Sequence, residues 1–175
     1  MRVLSAVLAL GLAAPALAQD DQLKVKEGDE VPDIKLAATQ NKDKEISIRD
    51  LKGKNVVLFF YPRAMTPGCT KESCGFRDVS KQFADVNTVV LGISTDPLDK
   101  QQQFTDKEKL NFPLLADNEM KMARALGVMS PKGSATKRVT FVINKEGKIA
   151  KIYEKVDPTK HPEEVLTYVK EHLNK

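Results

Sequence analysis

An apolar run that ends at a proline and is followed at once by a helix start constrains this chain more than any other feature. Val56 to Tyr61 are six consecutive apolar residues, which predict a buried strand, and Pro62 cannot continue a strand inside a sheet. Thr66 followed by Pro67 is typical of a helix N-cap with proline in the first helical position. The chain is therefore predicted to pass here from a buried strand into a helix.

Cys69 falls in the first turn of that predicted helix, among backbone N–H groups that have no intrahelical partner. A free cysteine has a pKa of about 8.5 and is mostly protonated at neutral pH. At a helix N-terminus beside a cation it becomes largely thiolate, which is the nucleophilic form. Cys69 is therefore the candidate nucleophile, and the alternative is a small buried hydrophobic residue at a strand–helix junction.

The amino-acid sequence around Cys69 resembles that of the peroxiredoxins, in particular their bacterioferritin-comigratory or Q-type branch. The resemblance is carried by the spacing Pro-x3-Thr-x2-Cys and by the stretch Thr-Pro-Gly-Cys-Thr-Lys-Glu-Ser-Cys-Gly-Phe-Arg-Asp. It runs from about residue 25 to the C-terminus and includes residues 28–33 and 138–143. It implies a thioredoxin-like fold, with a mixed central sheet flanked by helices and an N-terminal elaboration, and a thiol peroxidase.

Roles for five residues follow from the resemblance. Cys69 matches the peroxidatic cysteine, Cys74 the resolving cysteine, and Pro62, Thr66 and Arg138 the rest of the active site. The implied cycle oxidises Cys69 to a sulfenic acid with hydrogen peroxide or an organic hydroperoxide, and Cys74 then condenses with it to a disulfide. A thioredoxin-like or other dithiol protein would reduce that disulfide. Relatives of the Q type are often monomers, so a monomer is expected.

The residues before Cys69 also have simpler interpretations. Thr66 is either a helix cap, worth about 1 kcal/mol, or a hydroxyl that hydrogen-bonds the peroxide, and the two roles are compatible. Pro62 either only ends the strand or, as in the family, also shields the thiolate from water. Arg63 is read as a surface charge.

The cation beside the sulfur is assigned to Arg138, which matches the arginine of the family's Arg-x-Thr-Phe motif. It precedes a predicted core strand that in this fold runs beside the one ending at Tyr61. Spacing alone does not choose it over Lys137 or Arg124. Glu72, in the first turns of the helix, is expected to orient Arg138 through a charge-assisted hydrogen bond, although its negative charge opposes thiolate formation.

Periodicity predicts an α/β domain with a largely parallel central sheet. Strands are predicted over 56–61, 88–94, 139–143 and 148–153, and helices over 67–84, 98–109, 118–125 and 162–173. Residues 144–147 predict a hairpin turn, so the last strand pair is antiparallel. Residues 19–50 are expected to form an elaboration with a short strand pair, and residues 129–137 an exposed loop.

The N-terminus has the pattern of a secretory signal peptide. A positive start, an apolar run over residues 3–14 and Ala-Leu-Ala at 16–18 predict cleavage near Gln19, which leaves a single domain over residues 19–175. A short membrane anchor is the alternative, but the run is shorter than the ~20 residues of a transmembrane helix. The expectation is an exported protein of the bacterial periplasm, without stable membrane association.

Composition and motifs exclude several classes of partner and cofactor. Of the 175 residues 41% are hydrophobic and 30% charged, which is ordinary for a globular protein. The formal net charge is +4, and the lysines are interleaved with carboxylates. The sequence therefore has no block of basic residues of the kind that binds nucleic acid. No metal, haem, phosphate-loop or dinucleotide motif is found, and no cofactor is expected. The histidines, His161 and His172, are expected at the surface.

Two cysteines in an exported protein allow other interpretations. A structural disulfide would gain little from so short a loop. An exported thiol–disulfide oxidoreductase of the same fold would use Cys-x2-Cys, and a copper chaperone would use Cys-x3-Cys with a distal histidine. On an intact helix, Cα atoms five residues apart stand roughly 8–9 Å from each other, whereas a disulfide tolerates at most about 7 Å. Cys69 and Cys74 therefore require the helix to unwind before they can bond.

Overall fold

The computed structural model describes residues 22–174. It contains a seven-stranded mixed sheet with helices packed against both faces. The strands are β1 (Leu36–Ala38), β2 (Asn41–Ile46), β3 (Asn55–Phe60), β4 (Thr88–Ser94), β5 (Leu114–Ala116), β6 (Val139–Ile143) and β7 (Ile149–Tyr153). The helices are α1 (Pro67–Asp85), α2 (Leu98–Glu108), α3 (Lys121–Leu126) and α4 (His161–His172), with a 3-10 helix over Ile48–Leu51. The predicted α/β class is confirmed.

Strand β3 is buried on both faces, which explains its unbroken apolar run. Leu58 and Phe60 face one core cluster, to which α3 contributes, while Val57 and Phe59 face a second cluster with α1, α2 and α4. All six residues of β3 are buried. A strand in the interior of a sheet covered on both faces shows this continuous pattern rather than an alternating one.

Helix α1 packs on β3 through a stripe of buried residues at helical spacing. These are Cys69, Glu72, Ser73, Phe76, Val79 and Phe83. Phe76 stacks on Phe59 with ring centroids 4.6 Å apart. Helix α4 lies close against the same helix, because an ideal Cβ on Gly75 would stand only 2.8 Å from Cγ of Pro162. The stripe therefore fixes the helix that carries both cysteines.

The strand order is β2-β1-β5-β4-β3-β6-β7, and only its middle is parallel. Among the described strands, β3 pairs with β4 and β4 with β5 in parallel, while the other neighbours are antiparallel. The expectation of a largely parallel sheet was therefore wrong. Two pairings account for the error. Strand β6 runs antiparallel to β3, a direction that the alternation of strands and helices does not fix. The antiparallel pair β1–β5 was not foreseen because β5, at three residues, is too short to show a period.

Other predicted connections are confirmed. Strands β6 and β7 form an antiparallel hairpin whose turn is closed by the Asn144 and Lys148 backbones at 2.8 Å, and β1 and β2 form the short pair expected near the N-terminus. The loop over 129–137 is exposed only at 131–134. Thr136 is buried, and its hydroxyl donates to the Tyr61 carbonyl at 2.9 Å, so this loop is tied to the end of β3.

The predicted signal peptide and its cleavage site lie outside the described residues. Between residues 22 and 174, no helix combines the length and the apolar character needed to cross a membrane.

Candidate active site

Cys69 lies where the sequence places it, in the first turn of α1. Thr66 is the N-cap residue with extended backbone angles, Pro67 is the first helical residue, and the Thr70 N–H donates to the Thr66 carbonyl at 2.8 Å. The Cys69 side chain is fully buried. The first N–H groups of a helix and its dipole favour a negative charge at such a position.

Arg138 is the cation beside this sulfur. Its Nη2 lies 3.3 Å from Cys69 Sγ, and its Nη1 donates to Oε2 of Glu72. Strand β6 runs antiparallel to β3 with Phe60 opposite Val139, so the residue before β6 reaches the end of β3 where α1 begins. This confirms the predicted position of Arg138. Arg124, the alternative on α3, is exposed to solvent.

The Glu72 carboxylate lies fully buried against the same guanidinium. Burial raises the pKa of Glu72 to about 7, although Arg138 acts in the opposite direction. Burial works to lower the pKa of Arg138, but Glu72 and Cys69 outweigh it and raise that pKa, so the guanidinium stays cationic. One Arg138 side chain therefore bridges a carboxyl group that titrates near neutrality and the candidate nucleophile, and the expected contact between Glu72 and Arg138 is confirmed.

Thr66 and Pro62 take the expected places on either side of the loop that precedes α1. The Thr66 hydroxyl does not make the expected cap bond; it donates to the Arg63 carbonyl at 3.0 Å instead. Met65, between Arg63 and Thr66, has a left-handed backbone with φ 64°. This conformation turns the chain back so that the Thr66 hydroxyl reaches the Arg63 carbonyl. Pro62 is half-buried, and its shielding of the sulfur stays a prediction.

Asp96 supports this loop and was not predicted from the sequence. Its Oδ2 accepts from the Ala64 N–H at 2.7 Å and from the Ser94 hydroxyl at 3.0 Å, and its Oδ1 pairs with Lys100 Nζ at 2.5 Å. Asp96 is buried and is the second residue after β4. Parallel strands bring their carboxyl ends to one edge of a sheet, so its place after the predicted strand beside β3 was the available signal.

His161 is not a surface residue, so that expectation was wrong. It is fully buried, its Nε2 lies 2.8 Å from Thr140 Oγ1, and its ring meets Phe76 and Tyr153 edge-on. His161 is the first residue of α4, and the packing of that turn against α1, β6 and β7 buries its ring. These long-range contacts could not be read from the sequence. Burial, with a further contribution from Arg138, lowers the pKa of His161 to about 4. His172 is exposed, as expected.

Cys74 lies on another face of α1, half-buried against the end of α2. Its Sγ is 3.8 Å from Glu108 Oε2 and 3.6 Å from Arg77 Nη1, and burial raises the pKa of the Cys74 thiol. Both cysteines are free. In an uninterrupted helix, Cys69 faces Arg138 while Cys74 faces α2, so the two sulfurs have separate surroundings.

Comparisons with known proteins agree with this geometry. Residues 27–152 match the model of the AhpC/TSA family. The chain is 38% identical over 159 residues to Peroxiredoxin Bcp of Bacillus subtilis, covering 87% of this chain and 100% of that protein.

Among the residues the structure describes, His, Cys, Asp and Glu side chains do not gather in a group of three or more that could hold a metal ion.

Solved structures show the same fold. The crystal structure of peroxidoxin BcpB from Mycobacterium tuberculosis has a TM-score of 0.76 and 38% identity, covering 84% of this chain and 97% of that one. The bacterioferritin comigratory protein of Xanthomonas campestris, whose structures concern alkyl peroxide reduction, has a TM-score of 0.75 and 28% identity, covering 82% and 95%. The thioredoxin-like fold is confirmed by these neighbours.

Proposed function

Because the chain belongs to the AhpC/TSA family and is a thiol-dependent peroxidase of the Bcp and Q branch of the peroxiredoxins, we propose that Cys69 attacks the peroxide and Cys74 resolves the product. The observation that carries this assignment is the 3.3 Å contact between Cys69 Sγ and Arg138 Nη2 at the start of α1. Cys74, whose thiol pKa is raised by burial, lacks that environment.

In the first step the Cys69 thiolate attacks one peroxide oxygen and the O–O bond breaks. The sulfur becomes a sulfenic acid, and the second oxygen leaves with a proton as water or an alcohol. Arg138 compensates the negative charge on the sulfur and on the leaving oxygen, which is where a positioned donor lowers the barrier most. We assign to the Thr66 hydroxyl, which donates to the Arg63 carbonyl at 3.0 Å, the role of hydrogen-bonding the peroxide.

In the second step the Cys74 sulfur attacks the Cys69 sulfenic acid and water leaves as the disulfide forms. An external dithiol protein of the thioredoxin type then reduces that disulfide and restores both thiols. Because the two sulfurs face different elements on an intact α1, the first turns of that helix unwind before the bond forms.

The proposed substrates are hydrogen peroxide and organic hydroperoxides, since the Xanthomonas campestris neighbour is described as reducing alkyl peroxides. We further propose that the mature protein begins near Gln19, works as a monomer and is exported, most simply to a bacterial periplasm. The charged start, the apolar run over residues 3–14 and the small residues at 16–18 support export.

A peroxidase assay on the mature protein tests the function. Hydrogen peroxide, an alkyl hydroperoxide and a fatty-acid hydroperoxide are each supplied with a thioredoxin, a glutaredoxin or a small dithiol. Catalytic loss of peroxide that depends on the dithiol supports the proposal. Disulfide exchange with model dithiols in the absence of any peroxide consumption would favour a thiol–disulfide oxidoreductase and contradict it.

A further inference from the structure

The resolving thiol has a docking place on α2 that the peroxidase cycle described above does not use. Cys74 Sγ is 3.8 Å from Oε2 of Glu108, the last residue of α2, and 3.6 Å from Nη1 of Arg77. A thiol next to a carboxylate donates its proton to it, and such a charge-assisted bond is stronger than a neutral one. Cys74 is therefore held by an interaction with a neighbouring helix.

Arg77 fixes the residue that holds the thiol. Its Nη1 donates to the backbone carbonyl of Glu108 at 2.6 Å, one of the carbonyls at a helix end that lack an intrahelical partner. Asn111, just beyond α2, donates to the Arg77 carbonyl at 3.3 Å and to the Ser80 hydroxyl at 2.8 Å. These contacts tie the second half of α1 to the end of α2.

The part of α1 that must unwind ends next to these ties. Phe76 is fully buried and stacked on Phe59, so the helix beyond it stays packed on β3, whereas Cys69 and Cys74 lie before it. Arg77 therefore remains with α2 during unwinding, and Cys74 is the residue that leaves Glu108.

We propose that Glu108, held in place by Arg77, is a positioning residue for Cys74 that keeps the resolving thiol docked on α2 and thereby limits the rate of disulfide formation. The inference rests on the proposed function, in which Cys74 resolves the Cys69 sulfenic acid. Glu108 does not touch the peroxide or the sulfenic acid. It delays the step in which the Cys74 proton leaves with the sulfenic hydroxyl as water and the S–S bond forms.

The charges around Cys74 act in the same direction. Burial raises the pKa of the thiol, Arg77 lowers it, and Glu108 together with Asp78 of α1 raises it. Removing the Glu108 charge weakens the docking bond and also lowers the pKa of Cys74, which increases the thiolate fraction below that pKa. Both effects speed disulfide formation.

The test compares Glu108→Gln with the control Asp106→Asn. The control removes the same charge from the same end of α2, but the Asp106 carboxylate accepts from the Gln102 amide. Quenched-flow samples after one equivalent of peroxide are alkylated and analysed by mass spectrometry. The rate constant of disulfide formation, divided by that of sulfenic acid formation, is expected to rise about threefold or more in E108Q. It should stay within about a factor of 1.5 of wild type in D106N.

A second measurement reads the thiol directly. In a C69S background, the pH midpoint of Cys74 alkylation moves lower with E108Q and stays in place with D106N. A ratio and a midpoint in E108Q equal to those in D106N would overturn the role of Glu108 while leaving the peroxidase intact. If wild type itself forms a sulfenic acid but no Cys69–Cys74 disulfide, the proposed function fails along with the inference.

Discussion

The charge balance around one sulfur determines whether Cys69 can act as a nucleophile. The start of α1 and the Arg138 guanidinium place positive charge beside this sulfur, while the Glu72 carboxyl group lies on the other side of that guanidinium. Arg138 is only partly exposed and has a planar fork of donors that meets both the sulfur and the carboxylate. Its geometry therefore matters as much as its charge.

Replacing Arg138 by lysine should slow the reaction of the reduced protein with peroxide, because an ammonium is a point charge that cannot bridge Glu72 and Cys69 in the same way. Loss of one such positioned donor costs on the order of 10²–10³ in rate. Stopped-flow mixing of the reduced protein with peroxide measures the rate of this first step.

The matched control is Arg124→Lys, which changes an exposed arginine of α3 whose guanidinium donates to the Met120 sulfur. Its rate should equal that of wild type. An Arg138→Lys rate within about twofold of wild type, with Cys69 still a thiolate, would show that charge alone suffices and contradict the bridging role.

At the scale of elements, the loop between β3 and α1 depends on a support from β4. Asp96 accepts from the Ala64 N–H inside the core, so Asp96→Ala leaves a buried donor without a partner and also frees Lys100. The expected loss is about 1–3 kcal/mol in the free energy of unfolding, together with slower peroxide reduction. Urea unfolding and the peroxide assay measure the two effects.

Asp99→Ala is the control for that change, since Asp99 is an exposed carboxylate in the first turn of α2. It should leave the peroxide rate unchanged and alter stability by no more than about 0.5 kcal/mol. Equal peroxide rates in the two variants would mean that Asp96 supports the fold but not the active-site loop.

Helix α1 should lose its first turns when the disulfide forms. Cys69 and Cys74 face Arg138 and α2 on the intact helix, so the bond requires the backbone between them to open. Hydrogen exchange of the reduced and disulfide forms should show faster exchange over residues 67–76 in the disulfide form, with residues 79–85 unchanged. Equal protection of both segments in the two forms, with the bond confirmed by mass spectrometry, would rule out unwinding.

Long or strongly patterned elements could be predicted from the sequence, whereas the three-residue strand β5 could not. Strand β4 and strand β6 have the predicted bounds, and α1 differs by one residue at its end. Strand β5 was missed because three apolar residues carry no period. Its absence from the prediction hid how the N-terminal pair joins the sheet.

For the whole molecule, the same limit applies to the site. Residues that lie in a motif shared with the family, such as Cys69 and Arg138, could be predicted. His161 and Asp96 were not predicted, because the first is brought in by the packing of α4 on α1 and the second by the pairing of β4 with β3. Contacts between distant elements follow from packing, which single-sequence periodicity does not encode.

Two buried groups should give the stability of the molecule opposite dependences on pH. The pKa of Glu72 rises from 4.5 to about 7 on folding, so its contribution is complete below about pH 4.5 and is lost as the pH rises toward 7. The pKa of His161 falls from 6.5 to about 4, so its contribution is present above about pH 6.5 and lost as the pH falls.

Glu72→Gln should therefore remove one of these two pH dependences of the free energy of unfolding. The free energy of unfolding of wild type minus that of E72Q is expected to fall by on the order of 1–3 kcal/mol between pH 4.5 and pH 7. Urea titrations at several pH values measure it, and E154Q, which changes an exposed carboxylate, is the control. A difference that does not vary with pH would show that Glu72 does not titrate in this range.

The assignment of Cys69 as the peroxide-reactive thiol is tested most directly by single-turnover kinetics of Cys69→Ser and Cys74→Ser with peroxide. Cys74→Ser is predicted to complete one rapid oxidation and to stop at a sulfenic acid, because Cys69 keeps Arg138 and the start of α1 beside its sulfur. Cys69→Ser is predicted not to reduce peroxide. A Cys74→Ser protein that fails to react while Cys69→Ser still reacts would show that Cys69 is not the peroxide-reactive thiol.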